Sequence, residues 1–400
     1  MNAERQVVVV GAGVAGIGSA LALKDAGLQP LVLDQADRVA SSWRSRYDSL
    51  RLNTWRRFSQ LPGRPFPKGT PTFPSRDQLI EHLDRHAGEE GVELRLGTRV
   101  ERIERDDRGW VVNTSGGALR APQVIVATGL DQTPIVPEWP GRESFEGDLL
   151  HSSEYRNPTP FERKRVLVVG PGSSGMEIAH ELAVGGAATV WLSVRTPPNI
   201  VLREGLGPVP GDLLATWLFH LPTGIADRIA RFGARMDFGD LTEYGLAEPE
   251  TGLFADVRTR DKVPAIVDGD VIEAIKTSRI EVVAAVAALD STGVELADAS
   301  RIEPEAVICA TGYSRALESL VGHLGVLGER GMPKVMAPDP AAPGLRFAGY
   351  VVRPGGLGYM GKQARRSARA IARELRPVRS AEPARLANPT RPAVSRRPSS

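Results

Sequence analysis

At 400 residues the chain is longer than one hydrophobic core usually organises, so two cores are expected. A formal net charge of +2, with 24% charged and 42% hydrophobic residues, is that of an ordinary globular chain and argues against a nucleic-acid polymer as main partner. The single cysteine, Cys309, excludes an intrachain disulfide, a CxxC redox pair and a cysteine-rich zinc site. The six histidines have no recurring ligand spacing and no apolar run is long enough for a bilayer span, so no metal is expected and a cytoplasmic setting is the default.

In chain order, Gln6 to Val10 is a continuous β-branched run that predicts a buried parallel strand. GAGVAG follows at Gly11 to Gly16, and apolar residues then recur at helical spacing up to Gly27. Pro30 to Asp34 predicts the next strand, completing one βαβ unit. The grammar returns at Arg165 to Gly170, with GPGSSG at Gly170 to Gly175, a helix ending near Gly185 and a strand at Thr189 to Arg195.

A second echo links VELRLGTRVERIE and PQVIVATG, ending at Gly129, to RIEVVAAVAAL and PEAVICATG, ending at Gly312. Each block predicts a β-meander followed by a strand that closes on Ala-Thr-Gly. The expected fold is α/β, with two Rossmann-like, three-layer ββα dinucleotide-binding domains, the first of them discontinuous. Residues 1–157 and 283–376 are assigned to the first domain and 158–282 to the second. A helical insertion is expected between Gly211 and Gly239, with Leu213, Leu214, Trp217, Leu218 and Leu221 along one side. Residues 377–400, rich in Pro, Arg, Ser and Ala, are expected to be a disordered tail.

In a GxGxxG turn the first glycine permits the bend, the second lets backbone N–H groups reach a diphosphate, and the third lets helix and strand pack closely. Gly11, Gly13 and Gly16 fit those roles, and Asp34 falls where a carboxylate accepts from a ribose diol. Gly170, Gly172 and Gly175 fit as well, beside Ser173 and Ser174. Here the second strand ends in Arg195, which suits a 2′-phosphate. FAD is expected in the first cradle and NADPH in the second.

FEGDLLHSSEYR then carries a specific resemblance. Phe145, Gly147, His151, Tyr155 and Arg156 match the pattern FxGxxxHxxx[YF][KR] of flavin-containing monooxygenases. SSWRSRYDSLRLN (Ser41 to Asn53), CATGY (Cys309 to Tyr313) and RPGGLGYMGKQA (Arg353 to Ala364) resemble the same superfamily, especially its YUCCA-type branch. The resemblance covers the chain to about residue 376. It implies cofactor contacts from Ser42, Trp43, Arg51, Thr128, Gly129, His151, Thr311, Gly312 and Leu357. It also places Asn53 on the asparagine that lies beside the reactive flavin edge in many flavin-containing monooxygenases, where the YUCCA branch has histidine.

What the resemblance implies is an NADPH- and O2-dependent monooxygenase in which oxygen adds at the flavin C4a atom and one oxygen atom passes to a small molecule. N- or S-oxygenation and oxidative decarboxylation of a 2-oxo acid are the favoured reactions, with Baeyer-Villiger insertion the rival. A reductase or redox-sensing flavoprotein is the alternative without oxygenation. Several residues also have plainer roles open to them. His151 could pack at a junction and bond a carbonyl, Asn53 could serve a turn, Trp43 could serve the core and Arg195 could be a surface charge. A homo-oligomer is left open.

Overall fold

The computed structural model describes residues 6–204 and 210–376; the expected tail lies outside the described residues. Two five-stranded parallel sheets organise the chain. In the first, the order is Leu345–Phe347, Gln123–Val126, Val7–Val10, Pro30–Leu33 and Glu93–Arg95. In the second it is Glu281–Val283, Thr189–Ser193, Arg165–Val169, Ala306–Cys309 and Asp148–His151.

Strand alternation builds three layers around each sheet. Val7, Val9, Val32 and Ile125 face a helical layer with Ile17, Leu21 and Leu79, closed by Ile371 of the long C-terminal helix Gly356–Glu374. Val8, Val10, Leu31, Leu33, Val124 and Val126 face the other way, onto Ile103, Trp110, Val112 and Leu119 of a three-stranded antiparallel meander. The second sheet repeats the device. Val166, Val168, Val190 and Leu192 face the helix Ser173–Val184, whereas Leu167, Val169 and Val307 face a second meander through Leu289, Val294 and Leu296. The expected α/β fold with two Rossmann-like ββα units is therefore present, and the first sheet is discontinuous because Leu345–Phe347 returns to it.

One expectation is corrected. Residues 283 to 309 were assigned to the first domain, but Glu281–Val283 and Ala306–Cys309 pair into the second sheet, with the meander of residues 286–302 packed on it. Asp148–His151, assigned to the first part, also forms an edge of the second sheet. The physical reason is the repeat itself: each βαβ unit needs its own meander to cover the face its helices leave bare.

The expected insertion is a pair of helices, Gly211–Leu218 and Thr223–Phe238. Its buried side differs from the expected one. Leu214, Trp217 and Leu221 are exposed, while Leu218, Phe219, Ala226 and Ala230 pack on Leu253 and Phe254. Among the described residues no helix is long and apolar enough to cross a membrane.

Candidate active site between two dinucleotide cradles

The first turn is set by Gly11, whose φ of 110° and the Ala127 carbonyl, 2.4 Å from where a Cβ would sit, admit no side chain. Gly16 lets the helix Val14–Asp25 lie on the turn, since its Cβ would fall 1.7 Å from the Gly11 carbonyl oxygen. Gly13 differs, for a Cβ there meets nothing within 4 Å, and no side chain caps the helix it opens. Open space before an uncapped helix N-terminus is what a diphosphate needs. Asp34 accepts from the Ala12 and Ala36 backbone N–H groups at 2.6 and 2.8 Å, which fixes its carboxylate at the cradle's rim with lone pairs to spare.

The second cradle has the same build. Gly170 has φ 109° with the Ala310 carbonyl oxygen 2.6 Å from an added Cβ, Gly175 closes onto Gly170, and Gly172 faces open space at an uncapped helix start. Ser173 is committed locally, its hydroxyl accepting from Ile266 N–H at 2.8 Å. Arg195 is exposed just past the second strand, with no ion pair among the described residues, so its guanidinium is free for an anion.

A cavity of about 600 Å³ joins the two halves. Of the expected residues, Gly11, Gly13, Asp34, Ser42, Trp43, Thr128, Gly129 and Leu357 line it, and so does Ser174 from the second turn. Sequence reasoning missed Arg46 and Arg315, which also line it. Ala316 in its wall and Ala40, next to the lining residue Ser41, hold a left-handed backbone with φ of 51° and 59°.

Asn53 and Arg51 do not line that cavity; both join a network between the modules. Asn53 Oδ1 accepts from Arg203 Nη2 at 3.1 Å and from Nε at 3.3 Å, while its amide nitrogen has no partner among the described residues. Arg203, 3% exposed, also pairs with Glu177 and, at 2.5 Å, with Asp268, which receives Arg51 at 2.7 Å. Tyr47 O–H donates to Glu177. Burial pushes the Glu177 carboxyl up, and burial followed by the Glu177 charge pushes the Tyr47 phenol well above its ordinary value. Burial alone would raise Asp268, but the Arg203 and Arg51 guanidiniums outweigh it and hold the carboxyl low. Arg203 lies outside every motif, so no spacing signal marks it.

The bridging stretch is explained residue by residue. Gly147 has no room for a side chain, because a Cβ would meet the Phe145 ring at 2.6 Å and the Glu305 carbonyl oxygen at 2.7 Å. His151, 1% exposed, accepts the Ser153 backbone N–H at Nδ1 (3.1 Å), so Nε2 carries the proton and donates to the Gly312 carbonyl at 3.1 Å. Burial lowers its pKa and keeps the ring neutral. Tyr155 O–H donates to Glu181, and Arg156 donates to the Arg44 and Arg46 carbonyls at 2.8 and 2.7 Å. Thr311 and Gly312 do not line the cavity of about 600 Å³; Thr311 donates to the Ile135 carbonyl and Gly312 accepts from His151 at the crossover. Cys309 is fully buried in its strand, and burial pushes its thiol up to about 12, far from a redox thiolate.

Comparison with known proteins agrees with this geometry. A family model described as pyridine nucleotide-disulphide oxidoreductase matches residues 8–200. The chain is 35% identical over 353 residues to indole-3-pyruvate monooxygenase YUCCA1 of Oryza sativa subsp. japonica, covering 86% of each protein. It is 36% identical over 324 residues to YUCCA4 of the same species, covering 76% of this chain and 73% of that one. Among solved structures, a mutant flavin monooxygenase from Stenotrophomonas maltophilia superposes with a TM-score of 0.70 at 25% identity, covering 94% of this chain and 99% of that one. The OTEMO complex with FAD and NADP shares the fold at a TM-score of 0.69 and 20% identity, covering 92% and 84%. Two cradles on one cavity, a linker built on the monooxygenase motif and near full-length relatives lead to one conclusion: the chain belongs to the class B flavoprotein monooxygenases, on their YUCCA-like branch, as an FAD- and NADPH-dependent enzyme that oxygenates a small molecule with O2.

Proposed function

We propose that the small molecule is a 2-oxo acid, which loses its carboxyl group as CO2 while the adjoining carbonyl becomes a carboxyl. The balance is one 2-oxo acid, O2, NADPH and a proton giving the shortened acid, CO2, water and NADP+. The observation that carries this reading is the near full-length similarity to relatives named indole-3-pyruvate monooxygenases. N- or S-oxygenation is the second reading, favoured by Asn53 standing where that branch carries histidine.

FAD and NADPH, when bound, supply the electrons and the oxygen activation. The chain's own residues bind, orient and protect. Gly13 and the N-terminus of helix Val14–Asp25 would hold the FAD diphosphate, with Asp34 accepting from its ribose. Gly172, Ser174 and the N-terminus of helix Ser173–Val184 would hold the NADPH diphosphate, with Arg195 on the 2′-phosphate. Ser174 reaching the cavity of the first cradle supports the two cofactors meeting there. Asn53 would donate from its amide nitrogen at the reacting edge, with Arg203 fixing which way the amide points. Trp43 and Leu357 would help to keep water out. The domains would run 6–135 with 313–376 for FAD and 148–309 for NADPH.

The test is to supply the reconstituted enzyme with NADPH, O2 and separate panels of 2-oxo acids, amines and sulfides. One CO2 and one shortened acid per NADPH from a 2-oxo acid is the expected result. N- or S-oxides in its place would transfer the assignment to the second reading.

A further inference from the structure

A second cavity, about 210 Å³, is lined by Arg57, Arg353, Lys362 and Arg365 and by no Asp or Glu. Among the described residues none of the four cations makes an ion pair or donates a hydrogen bond. Arg353 is the most constrained. Its guanidinium carbon lies 4.8 Å from the Phe219 ring centre and 4.3 Å from that of Tyr359, and its Nε is buried without a partner. A buried, unpaired donor is uncommon in folded proteins, and four like charges around one small hole repel each other unless an anion enters.

Phe58, Leu61, Pro62 and the Tyr359 ring give the rest of the wall a mainly apolar surface, with Gln60 and Thr216 as its uncharged polar groups. This cavity and the flavin cavity lie on different faces of the same helix start, since Leu357 and Met360 line the latter while Gly358, Tyr359 and Lys362 line the former. The chain that carries Asn53 supplies Arg57 four residues later.

We propose that this cavity is a carboxylate-binding subsite for organic acids with an apolar or aromatic body, with Arg353 as the main anion contact and Arg57, Lys362 and Arg365 as supporting charge. It deepens the 2-oxo acid reading and rests on it for its link to turnover. The planar guanidinium, held between two rings, is preorganised for a two-oxygen ligand, and the apolar wall accommodates the acid's side chain. Amines and neutral sulfides would gain nothing from such a site.

The experiment is calorimetric titration of the FAD-loaded protein with 3-phenylpropionate and with its neutral isostere 3-phenylpropionamide. The acid is expected to bind at least tenfold more tightly than the amide, the size of one charge-assisted hydrogen bond. Arg353→Gln should remove that preference and Arg353→Lys restore part of it. Because Arg353 is packed between rings, the double variant Lys362→Gln, Arg365→Gln, at two exposed positions, gives an independent reading; a several-fold loss for the acid alone is expected. No binding of the acid, equal binding of acid and amide, or an affinity unchanged in both variants overturns the subsite. If 2-oxo acids are not oxygenated yet acid binding depends on Arg353, the subsite stands and the reaction reading falls. Turnover with charge-blind binding gives the reverse.

Discussion

At the scale of single residues, the two glycine turns separate folding from cofactor binding. Gly11 cannot carry a side chain in this fold, because of its positive φ and the carbonyl 2.4 Å from an added Cβ. Gly13→Ala has free space and an ordinary φ of −83°, so the apoprotein should keep its melting temperature within a few degrees. The new methyl would stand where the diphosphate must approach, and flavin content after reconstitution is expected to fall at least tenfold by absorbance. Full flavin loading of Gly13→Ala would remove the first cradle from the binding site. Asn53 and Arg203 form a second contrast. If Asn53 has the proposed role of donor at the reacting edge, Asn53→Ala should release more hydrogen peroxide per NADPH oxidised, read by a coupled peroxidase assay. Arg203→Met strands Glu177 in a buried position and should cost about 3–5 kcal/mol, seen as a lowered denaturation midpoint.

At the scale of elements, the strands and the two turn helices were legible because their signal is local: an apolar run, a glycine turn, then helical spacing. The insertion's helices were legible too, but not the side they bury, which combines Leu218 and Phe219 with Ala226, Ala230 and Asp227, the last accepting the Phe254 backbone N–H at 2.6 Å, while Trp217 and Phe232 stay exposed at 73% and 68%. Hydrophobicity identified only part of that side, because alanines contribute to it by permitting close approach. Helix Arg76–Glu89 gives the pH prediction. It starts in a capping box between Ser75 and Gln78 and buries His82 at 2% exposure, stacked 4.3 Å from Phe66 and edge-on to His86, which pairs with Glu90. Neither His82 nitrogen makes a well-formed hydrogen bond among the described residues; burial first, then His86, brings its pKa down to about 4, with the Arg64 backbone opposing the shift and Arg85 adding to it. A base whose folded pKa is depressed leaves the unfolded chain holding more protons between about pH 4 and 6.5, so stability should fall as pH drops through that window, by on the order of 3 kcal/mol. Denaturant midpoints of His82→Phe measured from pH 7 to 4 should lose that part of the acid limb; an unaltered limb would assign it to other groups.

At the scale of the whole molecule, function depends on how two similar modules are held against each other. The repeat was visible in the sequence, but the boundary drawn from it was not consistent with it. A meander followed by Ala-Thr-Gly belongs to the βαβ unit it covers, and residues 286–309 accordingly complete the second sheet. Long-range pairings of this kind have no local signature, and neither does the ion network centred on Arg203. Two crossings join the modules, and they pair with each other as an antiparallel ribbon of Thr133–Pro134 and Tyr313–Ser314. His151 braces that ribbon by donating to Gly312 and by meeting Tyr313 edge-on at 4.8 Å, while Arg46 binds the Tyr313 hydroxyl at 2.8 Å and Asp131 at 2.5 Å. We propose that His151 is a positioning residue: it bonds to neither glycine turn but braces the ribbon that joins the two modules. His151→Ala should leave FAD and NADP+ dissociation constants within about twofold, since both cradles are intact. The rate of flavin reduction by NADPH, followed anaerobically by stopped-flow absorbance, should fall about tenfold or more, because small misplacements between reacting groups carry large rate penalties. His151→Asn, which can still donate to the Gly312 carbonyl, should recover part of that rate, whereas equal rates in all three proteins would mean that the ribbon holds its angle without the histidine.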